Sequence, residues 1–250
     1  VYYGEGRDAF AVWGRTAHES IFNINDGHYR CPNTQQGYTG FSTWTRGLAW
    51  AMAGFSEELE VFTRLDPNLL KETDPDNDII GIMLKAARAT CDFYIDNTAT
   101  DGIPYWDTGA PLLHKLGSDY LNKPADPFNQ FEPVDSSAAA IAAQGLLRLG
   151  NYLKNNEPDA AEKYWQAGLT VVNRLLEEPY LSNNNNHQGL LLHSIYHQPN
   201  GWDYIPANSK IPYGESSMWG DYHAREVALY LQKIIDNEQY YQFFNCIEDI

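Results

Sequence analysis

Residues 35–50 read QQGYTGFSTWTRGLAW, and this stretch decides the fold. Its first half closes a loop rich in Gly, Pro, Asn and Gln. Its second half opens an apolar pattern of helical period. Ser42 stands where a helix N-cap belongs, and the pattern runs to about Leu65, where Asp66-Pro67 stops it. Arg46 and Trp50 are four residues apart, so on a helix they share a face near the N-terminal end, where unpaired amides and the helix dipole favour an anion. A planar cation, a flat indole and a positive helix end together suit a carboxylated sugar. The plainer reading of the same spacing puts Trp44 and Trp50 in the core and pairs Arg46 with an acid.

Upstream, the text between Glu19 and Arg30 alternates apolar and polar residues around Asn25-Asp26-Gly27, which predicts a small β-hairpin. Downstream, helical patterns cover about 79–97, 136–155, 159–178 and 216–236, with a shorter apolar run near 188–197. Strand signals elsewhere are few, so the fold class is all-α. Short links such as Asn156-Glu157-Pro158 make antiparallel neighbours, whereas long ones, 98–135 and 199–215, are usually functional. Antiparallel helical hairpins set side by side can close into a toroid. Ala138, Ala139, Ala140, Ala142 and Ala143 would permit close inner packing, and the long loops would gather at one rim. A generic helical array fits the same pattern.

The length of 250 residues, with 43% hydrophobic and 20% charged residues, suits one globular domain and is far from a disordered composition. Against 17 basic residues stand 33 acidic ones, and a net charge of −16 repels polyanions, which argues against a nucleic-acid partner. No stretch approaches the ~20 apolar residues that span a bilayer, and Val1 does not open a secretory leader. Cys31, Cys91 and Cys246 are an odd set without a CxxC, so they suggest neither a disulfide framework nor a zinc ribbon. They do not choose between cytoplasm and periplasm. His193 and His197 have the spacing of a zincin helix, but Ser194 stands where the general-base glutamate belongs and no third ligand stands out, so no metal is expected. A Gly-rich phosphate loop and a GxSxG elbow are both missing. The 7 Trp, 17 Tyr and 10 Phe often sit beside Gly, Asp or Asn, a wetted aromatic pattern that suits sugars, although a large core uses such residues too.

The 36–50 run, together with DGIPYWDTGAP from Asp101, DSSAAAIAAQGLL from Asp135 and SSMWGDYHAREVALYL from Ser216, resembles glycoside hydrolase family 88, the unsaturated glucuronyl hydrolases. The resemblance implies an (α/α)6 barrel and removal of a 4,5-unsaturated uronic acid from the non-reducing end of lyase-generated oligosaccharides. In that reaction an aspartic acid protonates the vinyl ether at C4, water adds at C5, and the hemiketal opens to expel the sugar. Neither a metal nor an organic cofactor takes part. Carried over by motif, His18, Gln36, Arg46 and Trp50 contact the uronate, while Ser216, Ser217 and Tyr222 resemble the polar end of the pocket.

Two departures stand out. Where the family commonly has Ser-Asp-Asp/Glu-Ser after the tyrosine, this chain has Thr39-Gly40-Phe41-Ser42, and Gln35 replaces the usual His. Rhamnogalacturonyl and sulfated uronyl substrates therefore stay open. The family's two catalytic aspartates lie upstream of the match to His18 and would fall before Val1. The resemblance thus implies one toroid domain over 1–250 that lacks its N-terminal helices and its proton donor, and a non-catalytic sugar-binding toroid is the competing class. Among acids present, Asp135 reads as an N-cap, and Asp107, Asp203 and Asp221 lie beside Trp106, Trp202 and Tyr222, where a sugar hydroxyl could be met. Asp101 opens the long aromatic loop. None of the five replaces the missing acid.

Overall fold

The computed structural model describes residues 1–6 and 9–242, so Cys246 lies outside the described residues. In chain order the elements are β1 (Glu19–Phe22), β2 (Tyr29–Asn33), α1 (Thr45–Phe62), α2 (Pro67–Thr73), α3 (Ile79–Asp96), α4 (Ser136–Leu153), α5 (Pro158–Leu175) and α6 (Met218–Ile235). The hairpin forms where expected. Gly27 supplies the left-handed φ of 70°, and β1 pairs antiparallel with β2, Glu19 opposite Asn33.

Helix α4 is the centre of the core. It packs against α1, α3, α5 and α6, and Ala138, Ala139, Ala140, Ala142 and Ala143 are all fully buried. Small side chains let backbones approach closely: a Cβ on Gly145 would fall 2.7 Å from the Met52 carbonyl carbon on α1. The directions follow from side-chain contacts at both ends. Arg46 near the start of α1 reaches Asp135 at the start of α4 and stacks on Trp219 at the start of α6. Further along, Arg148 of α4 meets Glu60 of α1 and lies over Tyr230 of α6. Hence α1, α4 and α6 run parallel, while α3 and α5 return the chain toward Asp101, which pairs with Arg174 near the end of α5. Inner parallel helices with outer antiparallel returns are the arrangement of an (α/α)6 toroid. Three inner helices are present among the described residues, where a closed ring needs six.

Four helices lie within a few residues of expectation. The start of α1 does not: Ser42 sits in a turn with Thr39, and Trp44 holds the cap position without a capping side chain. The amide of Thr45 instead donates to the Trp106 carbonyl, so the neighbouring loop supplies the partner that a cap would give. Helix α1 also ends at Phe62, and Asp66-Pro67 starts α2, Asp66 accepting from the Asn68 amide at 2.9 Å. The apolar run 188–197 is not helical. Leu191 bridges to Leu181, and His193 has φ of 67°.

Candidate functional site

The long loops gather over the starts of α1, α4 and α6. Main-chain hydrogen bonds stitch them there: Asp135 to the Pro104 carbonyl, Ser136 to His193 and Ser194 to Glu215. The five acids weighed from sequence hold these loops in place. Asp107 is fully buried and accepts from the Tyr38 and Gly109 amides, both at 2.8 Å. Burial pushes its carboxyl up, against those two bonds. Asp101 accepts from Ile103 and Ala125, Asp203 from Tyr196 and His197, and Asp221 from Leu190 and Leu191. Asp135 caps α4 through the Ser137 and Ala138 amides, as its place before Ser136-Ser137 predicts. Asp107 and Asp203, considered as sugar contacts, are therefore buried beneath their own loops. A carboxylate closing a loop on amides is a better use of a buried charge than facing an empty cleft.

Arg46 and Trp50 do lie on one side of α1, both turned toward α6, but only the indole reaches the surface. Arg46 is 3% exposed and Trp50 41%. The guanidinium pairs with Asp135 at 3.1 Å and donates to the carbonyls of Ile195 and Tyr196, between the rings of Trp44 and Trp219, each 4.9 Å away. The ion-pair alternative is the arrangement found for Arg46. The core alternative does not describe Trp50, whose ring meets His223 edge-on at 5.0 Å. His223 in turn sits 2.5 Å from Gln144 Oε1, and Gln144 donates to Glu226 at 2.6 Å. Burial holds the His223 imidazole below its usual pKa, with Glu226 opposing.

His18 is exposed, and its ring lies 4.7 Å from the ring of Trp44. Its Nδ1 accepts from the Gln35 amide at 3.3 Å, which places the ring proton on Nε2 as a free donor. Burial lowers its pKa, opposed by Glu19 and reinforced by His197, so the ring is neutral near pH 7. Gln36 is half-buried, and its side-chain amide makes no hydrogen bond among the described residues. Ser217 caps α6 through the Gly220 amide, and Ser216 donates to the Leu191 carbonyl at 2.6 Å. Tyr222, exposed, lines a 950 Å³ groove along α6 with Arg148, Glu226 and Tyr230, and the Glu226 carboxylate pushes its phenol up. Of the seven expected residues, His18 and Arg46 both meet the ring of Trp44, Trp50 lies one turn further along α1, Gln36 is half-buried in the loop before α1, and Ser216, Ser217 and Tyr222 line the groove along α6.

Several rim residues escaped the sequence reading. From Trp219, aromatic contacts continue to Tyr196 at 5.5 Å, Trp202 at 5.5 Å from Tyr196, and His197 at 4.7 Å from Trp202. Their only sequence signal was aromatic residues beside Asp, Pro and Gly in a long loop. The result is a flat aromatic surface edged by imidazoles, laid over the positive ends of three parallel helices, which is suited to an anionic ring. His193 is buried among Phe128, Tyr180 and Tyr213 with Nδ1 unpartnered, and no group of three or more potential ligands could hold a metal among the described residues.

No protein-family model matches the chain. It is 27% identical over 216 residues, 86% of its length, to an unsaturated glucuronyl hydrolase of Bacillus sp. GL1. It is 28% identical over 204 residues to an unsaturated chondroitin disaccharide hydrolase of Streptococcus pyogenes. It spans 46% and 40% of those two relatives, about half the length of the curated proteins it matches or less. The crystal structure of the Bacillus enzyme superposes with a TM-score of 0.66 at 24% identity, covering 93% of this chain and 50% of that one, and shows the fold to be shared. Along most of its length the chain is thus similar to unsaturated glucuronyl hydrolases, and it shares the toroid fold of the Bacillus enzyme.

Proposed function

We propose that the chain forms the substrate-holding arc of a glycoside hydrolase that removes a 4,5-unsaturated uronic acid from the non-reducing end of lyase-generated oligosaccharides. One observation carries the reading: the continuous surface from His18 and Trp44 across Arg46 to Trp219, Tyr196 and Trp202, seated where three parallel helices begin. The names of the relatives, a glucuronyl and a chondroitin disaccharide hydrolase, support the same substrate class. In this reading Trp50 stacks on the sugar, the Nε2 proton of His18 and the unengaged amide of Gln36 meet its carboxylate and hydroxyls, and Ser216, Ser217 and Tyr222 form the polar edge. Arg46 acts from below, holding both indoles and the 195–196 carbonyls rather than the ligand. The uronate charge is met by helix ends and neutral donors.

The test is to titrate the chain with an unsaturated uronyl disaccharide, following tryptophan fluorescence for binding and near-ultraviolet absorbance for loss of the double bond. Saturable quenching, weaker with the saturated analogue, is expected; absence of any quenching refutes the reading. All five weighed acids are engaged in loop hydrogen bonds, which favours a second reading, sugar binding without turnover. Quenching with unchanged absorbance selects it. The Thr39-Gly40-Phe41-Ser42 turn keeps an unsaturated galacturonyl–rhamnose disaccharide in the same assay.

A further inference from the structure

Gln144 lies in the middle of α4, 1% exposed, among the alanines and leucines of the core. A buried amide is costly unless both of its ends are hydrogen-bonded, and here both are. Its Nε2 donates to Oε2 of Glu226 at 2.6 Å, and its Oε1 lies 2.5 Å from Nδ1 of His223, both partners on α6. A carboxylate only accepts, so the amide nitrogen has to face Glu226 and the amide oxygen has to face His223. That oxygen also only accepts, which puts the ring proton of His223 on Nδ1. Burial keeps the imidazole neutral near pH 7, with Glu226, 3.5 Å from Nδ1, opposing. A neutral ring protonated at Nδ1 carries a lone pair on Nε2.

That lone pair has no partner among the described residues, and Nε2 is not one of the polar atoms sealed from solvent. Tyr222 and Glu226, on either side of His223 along α6, line the 950 Å³ groove, so a ligand has room on this side. The imidazole meets the ring of Trp50, the proposed stacking face for the sugar, edge-on at 5.0 Å. His18 is the opposite tautomer, its Nδ1 engaged by the Gln35 amide and its Nε2 a donor. One imidazole can thus only give a hydrogen bond to a ligand, and the other can only take one. A carboxylate cannot use the second, since it has no hydrogen to donate and Glu226 stands beside the same ring. A hydroxyl can. In a 4,5-unsaturated uronate C4 and C5 carry the double bond, which leaves the ring hydroxyls of C2 and C3.

We propose that His223 is a specificity-determining residue of the uronate site, held by Gln144 and Glu226 so that its Nε2 accepts a hydrogen bond from the C2 or C3 hydroxyl of the sugar stacked on Trp50. The proposal rests on the uronate reading above and adds to it a residue and the group which that residue recognises. Calorimetric titration tests it with an unsaturated uronyl disaccharide and its 2-deoxy and 3-deoxy analogues at the uronate ring. The proteins are the native chain and His223→Asn, whose shorter amide can still donate to Gln144 but does not reach the ligand. One of the two analogues is expected to bind the native chain about threefold to tenfold more weakly than the parent, the size of one neutral hydrogen bond. His223→Asn should weaken the parent by the same factor and leave that analogue unchanged. His223→Gln, whose longer amide brings an oxygen near the Nε2 position, should recover part of the loss. Native binding that is indifferent to both hydroxyls overturns the proposal without any variant. So does a His223→Asn chain that binds the parent as the native chain does, or one that weakens parent and both analogues alike, the mark of an imidazole that only braces Trp50. Failure of the parent to bind the native chain is a different result, which removes the uronate reading and this one with it.

Discussion

Arg46 separates two ways of building this site, because a guanidinium that grips a ligand and one that braces a fold respond differently to removal. Its side chain is 4% exposed, and its partner Asp135 is 1% exposed. Replacing it with Ala leaves that carboxylate without its counter-ion, takes the donors from the carbonyls of Ile195 and Tyr196, and opens a void between two indoles. Breaking a buried pair from one side costs about 3–5 kcal/mol. Asp135 keeps the amides of Ser137 and Ala138 and the Ser137 hydroxyl, which argues for the lower half of that range. Arg46→Lys keeps the charge but loses the fork and the stacking, a loss of about 1.5–3 kcal/mol. Urea unfolding followed by tryptophan fluorescence measures both. If Arg46→Ala changes stability by less than about 1 kcal/mol while abolishing binding of an unsaturated uronyl disaccharide, the guanidinium faces the sugar and the brace argument is wrong.

Trp50→Ala should do the reverse, weakening disaccharide binding on the order of tenfold in a fluorescence titration while stability moves by less than about 1 kcal/mol, since the indole is 41% exposed. Gly145→Ala should destabilise by about 1–3 kcal/mol in thermal unfolding, because its Cβ would meet backbone of α1 at 2.7 and 2.8 Å, atoms that cannot step aside. His193 gives a pH signature. Burial pulls its pKa from the usual 6.5 down to about 4, so the folded state prefers the neutral ring. That stability is fully present above pH 6.5 and is lost as pH falls toward 4, by up to about 3 kcal/mol. His193→Asn, which tolerates the positive φ, should flatten the urea midpoint between pH 6.5 and 4; an unchanged slope would locate the acid sensitivity elsewhere.

Helix existence was legible because period and length carry it. Asp135 before Ser136-Ser137, and the alanines of α4, located that helix to within two residues at its far end. Boundaries fared less well where partners come from afar. Ser42 looks like a cap locally, but the Thr45 amide finds the Trp106 carbonyl, 61 residues on, and needs none. Asp66-Pro67 stops one helix and starts another, since a Pro that cannot continue a helix is well suited to open one. At the site, the four-residue spacing placed Arg46 and Trp50 on one side of α1 but carried no information on depth. Depth is decided by Asp135, 89 residues away. Tyr196, Trp202 and Trp219 were unreadable as a group for the same reason: only the fold makes them neighbours.

On the proposed reading, a protein of net charge −16 that is to hold an anionic sugar has to keep its own acids out of the way. At this rim Asp107, Asp135 and Asp203 are turned inward onto amides, and indole, imidazole and helix end face outward together with one oxygen of Glu215. The local surface is then nearly neutral while the distant field stays repulsive. Ionic strength distinguishes this from a cationic pocket. Raising salt from about 0.01 to 0.15 M shortens the screening length from ~30 to ~8 Å, which removes long-range repulsion but leaves short-range hydrogen bonds almost intact. Association of an unsaturated uronyl disaccharide, measured by stopped-flow fluorescence, should therefore speed up with salt at a nearly constant dissociation rate. An affinity that falls steeply over the same interval would mean that an exposed cation dominates binding, and that the carboxylate is met by charge rather than by the aromatic rim.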